Sequence, residues 1–525
     1  MAFDIPLNIL FMIGVFTVMD VFNEIQRLTF TTLADQMKEM NNHTLIAHYG
    51  IEPTETSISM MNSVISMTGT LGVFLSIIFV IPTADRRGRK YSCVSLRTIF
   101  SCAASICQMG SAFLQSTELY ILGNLIGGIC ILARTYLTTL YVTECSPDKY
   151  RGFATAAFVF SDVIAQLFMF SVASPSVLGR SNTWFIFPLI ALVGSIMMYF
   201  VALRFHESPK WLVKERRLEE ARQSVRYFQG SDVDIDEVMI SLIRENNLTA
   251  EDSISLKEIW DDETMRQALK LKFVVSIFLT FNPIMLEMIY NLQINQIVGF
   301  TTAEALNINS ILVLLFFPAK FIGTYIIDAL GRRPVLFIAT TIMYFKNCAM
   351  LVALWFAYLA GPNILSKSLL ISSECLSELY SASGVAALDF LCITELFPPS
   401  ARTTVAQSIS LLNMVAHLPL NTLYPVMNTV FPPGNYFVYL VLPPILIVYL
   451  YKYLPETKGR AICDIIESFD EEVMTRHATM IEEKTPLIRK RSNTHACKRN
   501  SILNTPRTRA LTFDHQLIPT KLAYQ

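Results

Sequence analysis

Apolar residues in this chain run continuously for about 18 to 25 positions at a time, broken by short polar segments. A helix of that length crosses a hydrocarbon core of roughly 30 Å, so the pattern predicts membrane-spanning helices. Twelve such runs fall at about 5–25, 58–81, 91–114, 119–142, 153–173, 183–204, 271–290, 308–327, 335–358, 369–392, 403–424 and 435–454, here called spans 1 to 12. The expected fold class is an all-α membrane protein of twelve transmembrane helices. Two longer polar segments interrupt the pattern. Within 206–270, residues 214–228 mix both signs of charge with apolar residues at helical spacing, as an amphipathic helix on a membrane surface does. The tail 455–525 is polar and aperiodic, and is expected to be largely disordered.

The polar segments repeat. Asp85-Arg86-Arg87-Gly88-Arg89-Lys90 is followed at 59 residues by Glu144 and then Arg151, and Asp328-Ala329-Leu330-Gly331-Arg332-Arg333 is followed at 67 by Glu395 and then Arg402. Glu207-Ser208-Pro209-Lys210 is echoed by Glu456-Thr457-Lys458-Gly459. Halves that match in parallel are the signature of a rocking transporter that holds its solute between them near the bilayer midplane. The organisation expected is a six-helix bundle over 1–205, a cytoplasmic central loop over 206–270, a second six-helix bundle over 271–454 and a cytoplasmic tail.

Composition supports the bilayer as solvent: of 525 residues, 52% are hydrophobic and 16% charged, against about a quarter charged in soluble proteins. The net charge of −1 hides an asymmetry. The short loops with Arg86, Arg87, Arg89, Lys90, Lys149, Arg151, Arg332, Arg333 and Arg402 share one side, while 291–307 and 425–434 carry no Lys or Arg. The positive-inside bias makes the first side cytoplasmic and puts both termini there. The opposite loop, 26–57, carries the sequon Asn42-His43-Thr44, a candidate glycosylation site. None of the ten cysteines lies in that loop, so no disulfide framework is expected. No Cys/His metal spacing, P-loop, Gly-x-Ser-x-Gly or dinucleotide fingerprint occurs, so no metal, cofactor, nucleic-acid or enzymatic function is expected.

The repeated motifs, together with Glu207-Ser208-Pro209-Lys210-Trp211-Leu212 and Leu454-Pro455-Glu456-Thr457-Lys458-Gly459-Arg460, resemble the major facilitator superfamily, in the branch of sugar porters and organic cation and anion transporters. The resemblance implies two pseudo-symmetric six-helix bundles and alternating access. It also implies a latch on the basic side, in which Asp85 or Asp328 pairs with an arginine such as Arg151 or Arg402 when that side is closed. Gly88 and Gly331 permit the tight turns such pairing needs, and Arg86, Arg89, Glu144, Arg332 and Glu395 complete the set.

Charged side chains inside spans are expensive and mark partners or cavities. Asp20, Glu24, Arg97, Arg134, Asp162, Glu287, Lys320, Lys346 and Asp389 are such residues. Phe317-Pro318-Ala319-Lys320 resembles span 8 of the organic-anion branch, and a buried ammonium with no obvious partner favours an anionic ligand. The position where that branch has an arginine in span 11 is Met414 here, with His417 one turn later. Tyr136, Tyr290, Trp355 and Phe390 are candidates for an aromatic cavity wall beside Glu287. A sugar porter needs Gln and Asn donors in span 7; Asn282, Asn291, Gln293 and Asn295 are present, though not in the Gln-Gln-x-x-Gly-x-Asn order. Asn124 stands where many proton-driven relatives have an arginine, which favours a uniporter or an exchanger; Asp20, Asp162 and Asp389 are the coupling candidates if they face the cavity.

In the tail, Glu483, Leu487 and Ile488 fit an acidic dileucine motif, which clathrin adaptors read, and which would place the protein at the plasma membrane or in endosomal or lysosomal membranes. The leading expectation is a carrier of small organic ions, leaning to anions. A sugar or polyol porter is the alternative, and a non-transporting receptor or vesicle protein that keeps the fold is a third.

Overall fold

The computed structural model describes residues 6–147, 151–230, 234–249, 254–385, 392–393, 396–397 and 399–454. Every described element is helical. Span 1 is Leu7–Thr32, span 2 Glu55–Arg87, span 8 Thr302–Leu330, span 9 Arg332–Ala360, span 11 Pro399–Val430 and span 12 Gly434–Tyr453. Span 5 is Arg151–Val172, span 6 Ile186–Ala202, and the described part of span 10 is Ile364–Ala382. Capping fixes several starts. Thr54 and Ser57 form a reciprocal capping box for span 2, as Asn363 and Ser366 do for span 10.

Three spans depart from simple helices. Span 3 begins as a wide turn over Tyr91–Leu96 and continues as Arg97–Leu114, and span 4 has a similar wide stretch, Ala133–Leu137, between Thr117–Leu132 and Thr138–Cys145. Such π segments mark functional positions, and Arg97 and Arg134 sit at them. Span 7 breaks into Glu263–Thr280 and Ile284–Ile297 because Pro283 lacks an N–H, and Asn282 Oδ1 instead accepts from the Ile284 N–H at 3.1 Å. The second piece bends again at Tyr290 (φ −112°, ψ 15°).

The outer surface is apolar, with Leu314, Leu315, Val441, Ile445 and Val448 exposed, as lipid-facing helices require. Among the described residues, three cores fill the membrane-spanning part and a smaller fourth lies in the central loop. On the face bearing the basic loops, Phe16, Val94, Tyr141 and Phe205 belong to a core of the first half, and Leu269, Leu336, Phe397 and Leu450 to a core of the second. On the opposite face one core joins both halves: Phe30 and Tyr120 meet Tyr290 and Tyr424, with Tyr290 stacked on Tyr424 at 4.8 Å. The molecule is thus closed opposite the basic loops.

The segment 26–57, expected as a loop, continues span 1 to Thr32 and adds the helix Ala34–Tyr49, which helps close that face: Asp35 accepts from Gln296 at 3.0 Å and from Thr302. The candidate sequon is folded into this helix. Thr44 is fully buried and donates to the Gln115 carbonyl at 3.1 Å, while Asn42 is half-buried with its Oδ1 covered, so the sequon lies in a helix and not in an open loop.

Among the described residues the central loop forms the helices Pro209–Lys214, Leu218–Gln229, Ile235–Thr249 and Leu256–Asp261. The amphipathic stretch is there, but its apolar face packs on protein. Phe228 enters the first half's core and Asn8 donates to the Tyr227 carbonyl at 2.7 Å. Ile259 enters the second half's core, and Thr404 donates to the Ile254 carbonyl at 2.8 Å.

Candidate functional site

A cavity of about 220 Å³ lies between the halves, several times the ~30 Å³ that one water occupies. Leu28, Thr31, Gln166 and Phe170 of spans 1 and 5 form one side, and spans 7 to 10 form the other. The break at Pro283 frees the second piece of span 7 to turn Glu287, Met288 and Asn291 toward the cavity. Span 8 contributes Asn309 and Lys320, and span 10 contributes Glu374, Ser377, Glu378 and Ser381.

The charges here are organised in pairs. Lys320 Nζ lies 3.0 Å from Glu378 Oε2. Fully buried Lys346 bonds Glu287 Oε1, which also accepts from the Tyr436 hydroxyl at 2.9 Å. Glu374 is held by amides, from Asn291 at 3.1 Å and Asn295 at 2.8 Å, while Asn309 donates to Asn291 Oδ1. A buried cation with a carboxylate partner is already satisfied. The expectation of a partnerless Lys320 is therefore corrected, and with it the ground for leaning to anions.

Of the other candidates, Tyr290 closes the face opposite the basic loops and donates to the Asn421 carbonyl at 3.2 Å. Trp355 packs edge-on against Phe431 at 5.6 Å. Trp355, Tyr136, Met414 and His417 do not border this cavity. Phe390 and Asp389 lie outside the described residues. Sequence reasoning missed Glu374, Ser377, Glu378 and Ser381, although their spacing of three, four and seven places them on one helix face.

The first half holds its own polar cluster. Arg97 bonds Asp20 and donates to Asn23 at 2.6 Å and Thr138 at 3.0 Å. Arg134 meets Glu24 at 2.6 Å and Asp162 at 3.1 Å, and Arg27 Nε donates to Glu24 at 2.9 Å. Asp20 and Asp162 are thus both ion-paired within the first half.

On the basic face, Arg89 lies 3.1 Å from Asp85 and 3.3 Å from Glu144, and Glu144 also accepts from Ser208. Glu207 accepts from the Lys90 and Ser208 N–H groups at 2.8 and 2.9 Å, and Trp211 Nε1 donates to the Asp85 carbonyl at 2.9 Å. Gly88 (φ +104°) is required here: a Cβ would stand 2.2 Å from Glu207 Oε2. Gly331 has the matching φ of +98°. Among the described residues Asp85 pairs inside its own half, with Arg89. Arg402 Nε donates to the Phe397 carbonyl at 3.0 Å. The side chains of Arg151 and Asp328, residue Glu395, and the tail motif of Glu483, Leu487 and Ile488 lie outside the described residues.

The fold and several sequences converge on one family. The structure is similar to the xylose transporter XylE of E. coli in an inward open conformation, with a TM-score of 0.68 and 15% identity over 87% of this chain and 99% of that one. In sequence, the chain is 24% identical to the sugar transporter ERD6 of Arabidopsis thaliana over 78% of this chain and 79% of that protein. It is 22% identical to the major myo-inositol transporter IolT of Bacillus subtilis (strain 168), over 80% and 88%. The profile of the family described as "Sugar (and other) transporter" matches residues 11–469. With the helices, the paired halves and that profile in agreement, the chain belongs to the sugar (and other) transporter family of the major facilitator superfamily, as an integral membrane transporter and not an enzyme.

Proposed function

We propose that the protein carries a small polyhydroxylated solute, a sugar or polyol, across its membrane by alternating access. The observation that carries this reading is the state of the cavity's cations. Lys320 and Lys346 are each held by a carboxylate, so hydrogen bonding to the solute falls to Asn291, Asn309, Gln166, Ser377 and Ser381. Amides and hydroxyls both donate and accept, which matches solute hydroxyls. The sugar and inositol transporters among the relatives point the same way. With the basic face taken as cytoplasmic, the solute site is closed to the outside and the Asp85–Arg89–Glu144 cluster belongs to the inner gate.

The test is uptake of labelled xylose, myo-inositol and an aromatic carboxylate into cells expressing the Leu487→Ala/Ile488→Ala variant, which keeps the protein at the surface if the tail motif routes it inward. Uptake of a sugar or polyol that falls with Asn291→Ala supports the proposal. Carboxylate uptake lost with Lys320→Ala would restore the anion reading. No uptake of any solute by surface-verified protein would favour a receptor.

A further inference from the structure

The two halves treat the carboxylates of their spans differently. In the first, Asp20, Glu24 and Asp162 each sit on an arginine. Around the cavity in the second, Glu287, Glu374 and Glu378 face only Lys320 and Lys346 among the described residues, one negative charge in excess. Lys346 is committed to Glu287, and Lys320 is ion-paired at 3.0 Å with Glu378 Oε2, an oxygen that receives no aligned hydrogen bond but has this cation beside it. Glu374 receives amide donors alone, and both go to Oε1. Its Oε2 is buried and accepts nothing, and Oδ1 of Asn295, its own donor, is likewise buried without a partner. Glu374 borders the cavity while only 7% exposed.

A buried carboxylate oxygen left without a donor is costly, and an uncompensated charge more so. What completes the site must donate hydrogen bonds and bring positive charge. A protonated primary amine does both, with three N–H groups for neighbouring acceptors. We infer that Glu374 Oε2 and Asn295 Oδ1 bind the ammonium of an aminated sugar or polyol. Ser377 and Ser381, on the same face of span 10, and Asn309 meet its hydroxyls. This rests on the polyhydroxylated-solute reading above and narrows it to a cationic member of that class.

The full chain in proteoliposomes is given labelled glucosamine, glucose or N-acetylglucosamine, at a pH where the glucosamine amine is charged. Glucosamine should enter about tenfold faster than the two neutral sugars, the discrimination expected of one charge-assisted hydrogen bond. Glu374→Gln, which keeps an oxygen for the amides and removes the charge, should abolish that preference. Equal entry of the three sugars, unchanged in Glu374→Gln, would overturn the inference. So would neutral-sugar uptake that carries protons inward, read by an internal pH dye, and loses them in Glu374→Gln, since a proton would then fill Oε2. Entry of the aromatic carboxylate with none of the sugars would instead overturn the underlying function. Should Glu374→Gln fail to fold, thermal stabilisation of purified wild-type protein decides: glucosamine should protect and N-acetylglucosamine should not, and equal protection refutes the site.

Discussion

Replacing Lys346 with Met removes the only cationic partner of Glu287 among the described residues and leaves a carboxylate held there by the Tyr436 hydroxyl alone. Lys346 is fully buried and the Glu287 side chain is 10% exposed, so water restores little of the lost interaction. Breaking one side of a buried pair costs about 3–5 kcal/mol, and because Glu287 borders the cavity we take the lower end, about 3 kcal/mol. The companion variant Lys346→Met/Glu287→Met removes both charges. It leaves only the Tyr436 hydroxyl without its acceptor, about 1–2 kcal/mol, so the double variant should be more stable than either single one. Both are read as the fraction of monodisperse protein surviving a heating series in detergent, against wild type. A single variant as heat-resistant as wild type, or a double variant as weak as the two losses added, would show that the pair is not coupled.

Three further outcomes follow from particular contacts. Spans 2 and 4 touch through glycine: a Cβ at Gly128 would stand 2.3 Å from the Gly69 carbonyl oxygen, so Gly128→Ala should cost about 1–3 kcal/mol through forced separation, seen as loss of monodisperse protein. Burial raises the Glu207 carboxyl above its ordinary value, so the folded chain holds that proton more tightly than the unfolded one. This contribution favours folding at acid pH and is lost as pH rises from the ordinary carboxylate value through the folded one. The stability of Glu207→Gln relative to wild type should therefore increase with pH over that window, and a constant difference would refute the assignment. Lys320→Gln should slow uptake by leaving Glu378 unpaired, and Lys320→Gln/Glu378→Gln should recover much of it. No recovery in the double variant would mean that Lys320 acts on the solute directly.

Most of the architecture is legible in the sequence because membrane helices announce themselves by length. The apolar runs over 5–25, 58–81 and 335–358 became Leu7–Thr32, Glu55–Arg87 and Arg332–Ala360. Helix 34–49 was hidden because its mean character is polar and it buries Met37, Met40 and Thr44 against other elements. The break at Asn282-Pro283 had a visible cause but read as part of one run. Lys320 stands alone in the sequence because its partner Glu378 comes from another span: pairing across spans 8 and 10 depends on tertiary placement that no local spacing encodes. Span 10 was different, since Glu374, Ser377, Glu378 and Ser381 form a polar stripe at helical spacing. That stripe marked the site as plainly as the single lysine did.

The arrangement of cores bears on how the carrier switches. Opposite the basic loops, Phe30, Tyr290 and Tyr424 weld the halves into one core, whereas on the basic face each half keeps a core of its own. Opening the closed face must expose that shared aromatic surface, so an equivalent contact has to form on the basic face for the two states to remain within a few kcal/mol. The Asp85–Arg89–Glu144 cluster is already satisfied inside the first half, together with Ser208 and Trp211. We propose that it is a preformed platform, to which a cationic partner arriving from the second half would add without the network having to be built anew. The cost of holding these charges is then met before the halves meet, which keeps the closing step small and reversible, as a carrier that must cycle requires.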